Sequence, residues 1–414
     1  MLAEWRRAAF HATTGLPEVA ITDLQTEYVG TRAQLFRLAL VTSVLTVLTL
    51  GLYRFWMKTR LRRYYWSAIR PGGQALEYVG EPLEKLLGFL IAVVFLAFYI
   101  GIVNLILMFM SFALLNDSFL AYGVSLIGIV PIIFYARYRA RRYILARTRW
   151  RGVRFGMEQG AWGYAWRAIA HWLITIITVG LLWPRMTFWL EKYRADRTVF
   201  GQQRFTQGGR WQMLYRPFLP LLSGLIIALA GGIVGSESGP LAGALIVALG
   251  VLMFVYGLAH YKAHSFRLLS NAKRLGAVGF RSAPRPWRVL RIYLLGYTLV
   301  VIGMIALLLA LGVAIGAFLW FYGLNFTENF DFSQIAFSIP LWASSTITLL
   351  SYFAIFIFWG VLGHVLVTLP LARHFAETLE ITGAAGLSAI RQGDRDELAQ
   401  AEGFAEALDV GAAI

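Results

Sequence analysis

The chain is 414 residues long, 58% hydrophobic and only 14% charged, with a formal net charge of +16. Soluble domains normally sit near half apolar and a quarter charged, so a free-standing soluble domain is excluded and an integral membrane protein is expected. Cysteine is absent, which removes disulfides, thiolate metal sites and cysteine nucleophiles together.

The N-terminal segment, 1–33, opens with "MLAEWRRAAFHATTG" and has no apolar core of signal-peptide length. Insertion is therefore expected to be directed by the membrane segments themselves. The first apolar run, 38–53, carries basic residues at both ends and reaches only about 25 Å at 1.5 Å per residue. It leads into "RFWMKTRLRRYYW", where Lys58, Arg60, Arg62 and Arg63 alternate with aromatic rings. Beyond it, three blocks lack Lys and Arg: Lys85 to Arg137, Arg216 to Lys262 and Arg291 to Arg373. Each has room for two crossings of roughly 20 residues, with polar breaks at 116–118, 235–239 and 325–334. The breaks contain acids and no Lys or Arg, so the positive-inside rule sets them outside and the basic blocks in the cytoplasm. A second short apolar run, 168–184, again has basic flanks.

These segments predict an all-α membrane protein, a bundle of six full transmembrane helices plus two short re-entrant helices that enter from the cytoplasmic side, with short strand-like segments between them. The domain reading is a cytoplasmic segment over 1–33, a repeat unit of short helix plus hairpin over 34–160, a second over 161–284, a third hairpin over 285–383, and an acidic cytoplasmic tail over 384–414. The location expected is a bacterial inner membrane with both termini in the cytoplasm. The repeat rests on a gap-free alignment at an offset of 129, which sets Gly51 on Gly180, Met57 on Met186 and Tyr64 on Tyr193. The basic stretch recurs as well, with Lys58, Arg60, Arg62 and Arg63 matching Arg137, Arg139, Arg141 and Arg142. The phrase "EYVG" stands at 27–30 and again at 77–80, an aromatic followed closely by glycine that reads as a short strand or turn.

In "TEYVG", "LTVLTLGLYRFWMKTRLRRYYW", "WLEKYR" and the closing "AEGFAEALDVGAAI", the chain resembles the YjgN-like family of bacterial inner-membrane proteins of unknown function. The resemblance implies a polytopic inner-membrane protein over nearly the whole chain. It brings no substrate and no catalytic residue with it.

Thr42, Thr46 and Thr49 share one face of the first short helix, and His171, Thr175 and Thr178 share the equivalent face of the second. Polar stripes in lipid need compensation, so with Asn104 they are the expected lining of a pathway for a small solute, ion or lipid. Lys58, Arg60, Arg62, Arg63, Arg137, Arg139, Arg141 and Arg142 are the expected contacts to anionic lipid headgroups, with plain interfacial anchoring as the simpler account. The rival function is a non-transporting anionic-lipid-binding or scaffold protein. His260 and His264, four apart, make a weak metal pair, and Gly231, Gly235, Gly239 and Gly243 permit close helix approach. No nucleophile motif, nucleotide loop or paired intramembrane carboxylate occurs, so no catalytic residue, cofactor or metal is assigned. The expected partners are anionic membrane lipids rather than nucleic acid, with homo-oligomerisation left open.

Overall fold

A computed structural model describes residues 23–98, 101–102, 105–115, 129–321 and 340–393. The breaks at 116–118 and 325–334, the tail from Asp394, and Asn104 lie outside the described residues.

The chain is not all-α. Among the described residues ten short strands form one antiparallel sheet, and the chain five times runs strand, helices, strand. The first pass is β1 (Asp23–Tyr28), α1 (Arg32–Leu48), α2 (Arg54–Ala68) and β2 (Ile69–Pro71). The second is β3 (Leu76–Tyr78), α3 (Pro82–Phe98), α4 (Leu105–Leu115), α5 (Ile129–Ala146) and β4 (Thr148–Trp150). The third is β5 (Val153–Met157), α6 (Ala161–Ile177), α7 (Trp183–Ala195) and β6 (Thr198–Phe200). The fourth is β7 (Gln203–Gln207), α8 (Tyr215–Ser238), α9 (Pro240–Asn271) and β8 (Lys273–Leu275). The fifth is β9 (Val278–Ser282), α10 (Pro286–Phe321), α11 (Leu341–Gly363), α12 (Leu369–Glu377) and β10 (Leu379–Thr382), with a π-helical turn, His364–Thr368, joining α11 to α12.

The two strands of each pass pair with one another, as in Thr26 opposite Pro71 and Phe155 opposite Phe200. Successive passes are joined by the pairs β4–β5, β6–β7, β8–β9 and β10–β1. Only β2 and β3 are unpaired neighbours, and residues 72–75 link them through Gly72 and Gly73, both at positive φ. The sheet is therefore a nearly closed ring. Because paired strands are antiparallel, every helical excursion leaves and re-enters at one rim, and every tight strand turn lies at the other. Side chains from around the ring fill its interior, among them Trp150, Phe200, Phe205, Leu275, Val278 and Ile381, with Leu387 and Ile390 of the following segment packed into the same cluster. This is a plugged ring and not a pore.

Several hydrogen bonds recur at the helix rim. In all five passes the amide just after the first strand donates to the carbonyl just before the second: Val29 to Ala68, Val79 to Arg147, Glu158 to Arg197, Gly208 to Ala272 and Ala283 to Thr378. Six residues before the returning strand, Arg63, Arg142, Lys192 and Arg373 each donate to a carbonyl of the next pass, at Gly80 (3.0 Å), Met157 (2.8 Å), Gln207 (2.9 Å) and Gly30 (2.7 Å). One residue later, Tyr64, Tyr143 and Tyr193 donate back to Thr31, Glu84 and Gly160 of their own pass. The "EYVG" phrases end β1 and β3, where the Tyr28 and Tyr78 rings occupy the space that a Cβ on Gly30 or Gly80 would need.

Two expectations are corrected. Among the described residues only four helical stretches are long and apolar enough to cross a bilayer, Trp211–Glu237, Pro240–Asn271, Pro286–Phe321 and Leu341–Glu377, and not six. Nor do the short apolar runs stand alone as re-entrant helices: α1 and α6 are the outgoing arms of helical hairpins whose returning arms, α2 and α7, are the basic segments. The strand-like phrases at 27–30 and 77–80 do end strands, but the single sheet escaped the sequence reading because its strands are only three to six residues long. Their ladders are satisfied by strands remote in sequence, which no local alternation reports.

The α8–α9 pair is packed backbone to backbone. A Cβ on Gly224, Gly250 or Gly257 would meet backbone atoms of Phe254, Ala228 or Leu221, and Gly231 and Gly243 are as tightly enclosed, whereas Gly239 forms the tip at φ 117°. Gly250→Ala is expected to destabilise the hairpin by about 1–3 kcal/mol through overpacking. Gly232→Ala, whose Cβ would meet nothing within 4 Å, should be neutral. Thermal unfolding of the two variants in detergent separates the cases, and equal melting temperatures would refute the seam.

Candidate functional site

The threonine stripes are spent within their own helices. Thr42, Thr46 and Thr49 donate to the carbonyls of Leu38, Thr42 and Leu45, and Thr175 and Thr178 donate to His171 and Ile174, at 2.7–2.8 Å. Such back-bonding satisfies a hydroxyl without water or substrate. Thr46 and Thr175 also face Met57 and Met186 on their returning arms, each with hydroxyl to sulfur at 3.8 Å. The arms turn identically at an offset of 129. Leu50–Gly51 and Val179–Gly180 both have positive φ, and the Thr49 and Thr178 hydroxyls accept from the amides of Tyr53 and Leu182. Each stripe thus packs inside its own hairpin. His171 lies 3.2 Å from an Arg185 nitrogen across the hairpin, and burial together with that charge lowers its pKa.

The basic junctions divide into buried ties and exposed charges. Arg62 is buried over the Tyr78 and Trp66 rings, Arg142 is buried on Met157, Arg139 donates to the Tyr135 hydroxyl (3.0 Å), and Arg63 spans to the next pass although exposed. Arg60 and Arg137 are exposed, with their guanidinium groups 5.7 Å from the Tyr53 and Phe134 rings, and Lys58 is half-buried. Arg141 joins a cluster around Glu191, whose carboxylate pairs with Arg194 (2.8 Å) and with Lys273 of β8 (3.0 Å). Burial works to raise the Glu191 carboxyl, but Lys273, Arg194 and Arg141 outweigh it and hold it well below the usual carboxylate range. His260 and His264 stack at 4.2 Å, with His260 Nδ1 3.2 Å from the Pro217 carbonyl. No group of three metal-ligating side chains occurs among the described residues.

The sequence reading did not anticipate a cleft of about 350 Å³ on the outer flank of β3–β6. Arg142, Arg147, Arg149 and Arg154 line it with Glu81, Glu84 and Glu158, and Gln392 and Gly393 close one side. Glu84 is held by Arg147 (2.9 Å) and the Tyr143 hydroxyl (3.0 Å), and Glu158 by Arg204. The readable signal was "TRWRGVR", a two-residue Arg151–Gly152 turn with both residues at positive φ, flanked by arginines that a hairpin sets opposite one another.

Removing the Glu191 charge leaves three cations facing each other. Glu191→Gln is expected to cost about 3 kcal/mol or more, as for breaking a buried pair. Because the folded pKa is depressed, the contribution is present above the unfolded value of about 4.3 and lost as pH falls below it. Melting temperature followed from pH 7 into the acid range should drop more steeply for the parent protein than for Glu191→Gln, and parallel curves would contradict the assignment.

No curated protein and no solved structure gives a significant match to the chain. A family model described as a bacterial protein of unknown function (DUF898) matches residues 23–407, a span that contains the whole ring and all four apolar helical stretches. Four such helices make this a membrane protein by length and composition, and the chain belongs to the DUF898, or YjgN, family of bacterial proteins of unknown function.

Proposed function

We propose that the protein is a non-transporting scaffold that holds its ten-stranded ring against the cytoplasmic leaflet of a bacterial inner membrane and selects anionic lipid. The observation that carries this reading is the disposition of the two short hairpins. Their tips expose apolar side chains, with Leu50 94% and Val179 81% accessible, while the polar stripes beneath are already satisfied.

The depth of the tips follows from the long helices. Arg216 and Arg291 lie nine residues beyond their strands and Lys262 eleven before its own, after which α8, α9 and α10 carry no further cation up to their tips. At 1.5 Å per residue this sets the membrane boundary about 15 Å above the ring. The 17-residue arms α1 and α6 extend about 25 Å, leaving about 10 Å of each tip inside the near leaflet of a core about 30 Å thick. Burying Leu48, Leu50, Ile177 and Val179 there contributes about 1.5–3 kcal/mol each. Exposed Arg60 and Arg137 then stand where they can reach headgroups, at about 1 kcal/mol each. A permeation pathway lined by Thr42, Thr46, Thr49, His171, Thr175 and Thr178 has weaker support, since each stripe faces its own returning arm and the ring below is filled.

The cysteine-free chain allows single cysteines at Leu50 and Val179 to carry an environment-sensitive fluorophore in nanodiscs. Quenchers placed shallow in the acyl region should quench both, and Arg60→Gln with Arg137→Gln should lower the preference for phosphatidylglycerol roughly fivefold per charge. Labels that remain in water, or solute flux in reconstituted vesicles that is lost on Thr175→Leu, would overturn the scaffold reading.

A further inference from the structure

The third pass carries a cation at a depth where none of the long helices does. Arg185 stands thirteen residues before β6 and His171 fourteen beyond β5, which sets both about 20 Å above the ring and about 5 Å past the membrane boundary drawn from the long helices. An ionisable side chain at that depth is costly unless it is partnered. Arg185 has no ion pair among the described residues, and its single hydrogen-bond contact is His171 Nδ1, at 3.2 Å across the hairpin. A guanidinium only donates, so that nitrogen accepts and the proton of the neutral imidazole resides on Nε2. The Nε2 atom is neither buried nor partnered among the described residues. Two basic groups thus stand at one level, and each keeps N–H groups to donate outward.

We propose that Arg185 and His171 hold the phosphate of one anionic phospholipid of the near leaflet. The assignment rests on the scaffold reading for the depth of the hairpin and adds to it a single stoichiometric site. A guanidinium fork matches two phosphate oxygens, and His171 Nε2–H supplies a further donor. Since Arg185 has no ion pair among the described residues, nothing beside it receives the ammonium of a zwitterionic headgroup, which favours an anionic one. Snorkelling alone would send the Arg185 side chain to the surface, whereas here it is held against His171. The surroundings are built. The Thr178 hydroxyl accepts from the Leu182 amide, the Tyr215 hydroxyl at the start of α8 donates to the Leu181 carbonyl at 2.9 Å, and Arg185 lies close enough for its charge to act on Tyr215. Trp172 and Trp183 pack edge to face with centroids 5.6 Å apart, rings of the kind that settle at headgroup level. Toward the tip, Leu173, Ile177 and Val179 expose an apolar surface suited to acyl chains. The first hairpin shares the turn and the threonine–methionine contact but has Thr42 and Trp56 at the equivalent positions, so it cannot form the pair.

The test titrates the full-length protein in neutral detergent with phosphatidylglycerol or phosphatidylcholine and counts bound lipids by native mass spectrometry, with glycerol phosphate as the water-soluble counterpart. One phosphatidylglycerol should bind saturably and in preference to phosphatidylcholine. Arg185→Gln should weaken that binding about tenfold or more, the scale of one charge-assisted hydrogen bond. His171→Leu should weaken it as well, whereas His171→Gln, whose amide can accept from Arg185 and still donate, should retain it. Arg281→Gln, which removes one charge from an exposed site on β9, should leave it unchanged. The assignment is overturned, whether or not the variants fold, if the parent protein shows no saturable preference for phosphatidylglycerol or if glycerol phosphate binds as tightly as the lipid. It is also overturned if Arg281→Gln weakens binding as much as Arg185→Gln does. Hairpin tips that lie in lipid while Arg185→Gln leaves binding intact sink this assignment alone, and tips that lie in water sink the scaffold reading on which it rests.

Discussion

Everything in this molecule depends on the requirement that each helical excursion return to the strand beside the one it left. An antiparallel strand pair fixes the separation of its two chain ends, and one amide-to-carbonyl bond just beyond each pair, present in all five passes, carries that spacing into the helices. The helix lengths can then vary without disturbing the base. Arms of 13 to 17 residues in two passes and helical stretches of 27 to 37 residues in two others start from the same rim. Short strands are sufficient because the ring leaves only one unpaired neighbour pair, so few backbone groups are stranded at an edge.

Lateral cohesion at the rim combines apolar clusters that bridge neighbouring passes with cationic ties. Arg63, Arg142, Lys192 and Arg373 reach across to carbonyls of the next pass, and charge-assisted bonds of this kind are stronger than neutral ones. The Arg373 guanidinium also lies over the Tyr28 ring, as that of Arg62 does over Tyr78 and Trp66. The junction of arginines with aromatics therefore serves structure first. Arg60 and Arg137, at the membrane side, remain exposed.

Two regions concentrate positive charge and resolve it differently. Around Glu191, one carboxylate is shared among Arg194, Lys273 and Arg141, drawn from three passes, so an internal acid ties the rim together. On the flank, Glu84 and Glu158 of the cleft lining pair with Arg147 and Arg204. The first arrangement rigidifies the fold. The second distributes its ion pairs along the wall of a cleft.

The sequence by itself determined the membrane class, the apolar stretches from 211 onward, the family, and the gap-free equivalence of the two short apolar runs, because hydropathy and charge spacing are local properties. The turns at Leu50–Gly51 and Val179–Gly180 were visible only as aligned glycines, and their positive φ came from the structure. The tertiary structure alone decided that the fold is a plugged ring with four candidate spans, that the stripes face their own hairpins, and that the cleft exists. Strands as short as Ile69–Pro71 take their register from partners remote in sequence, Pro71 opposite Thr26, and no local period records such a pairing. Arg149 and Arg154 come face to face only through a turn, and the segment that closes over them, at Gln392, lies more than 230 residues later.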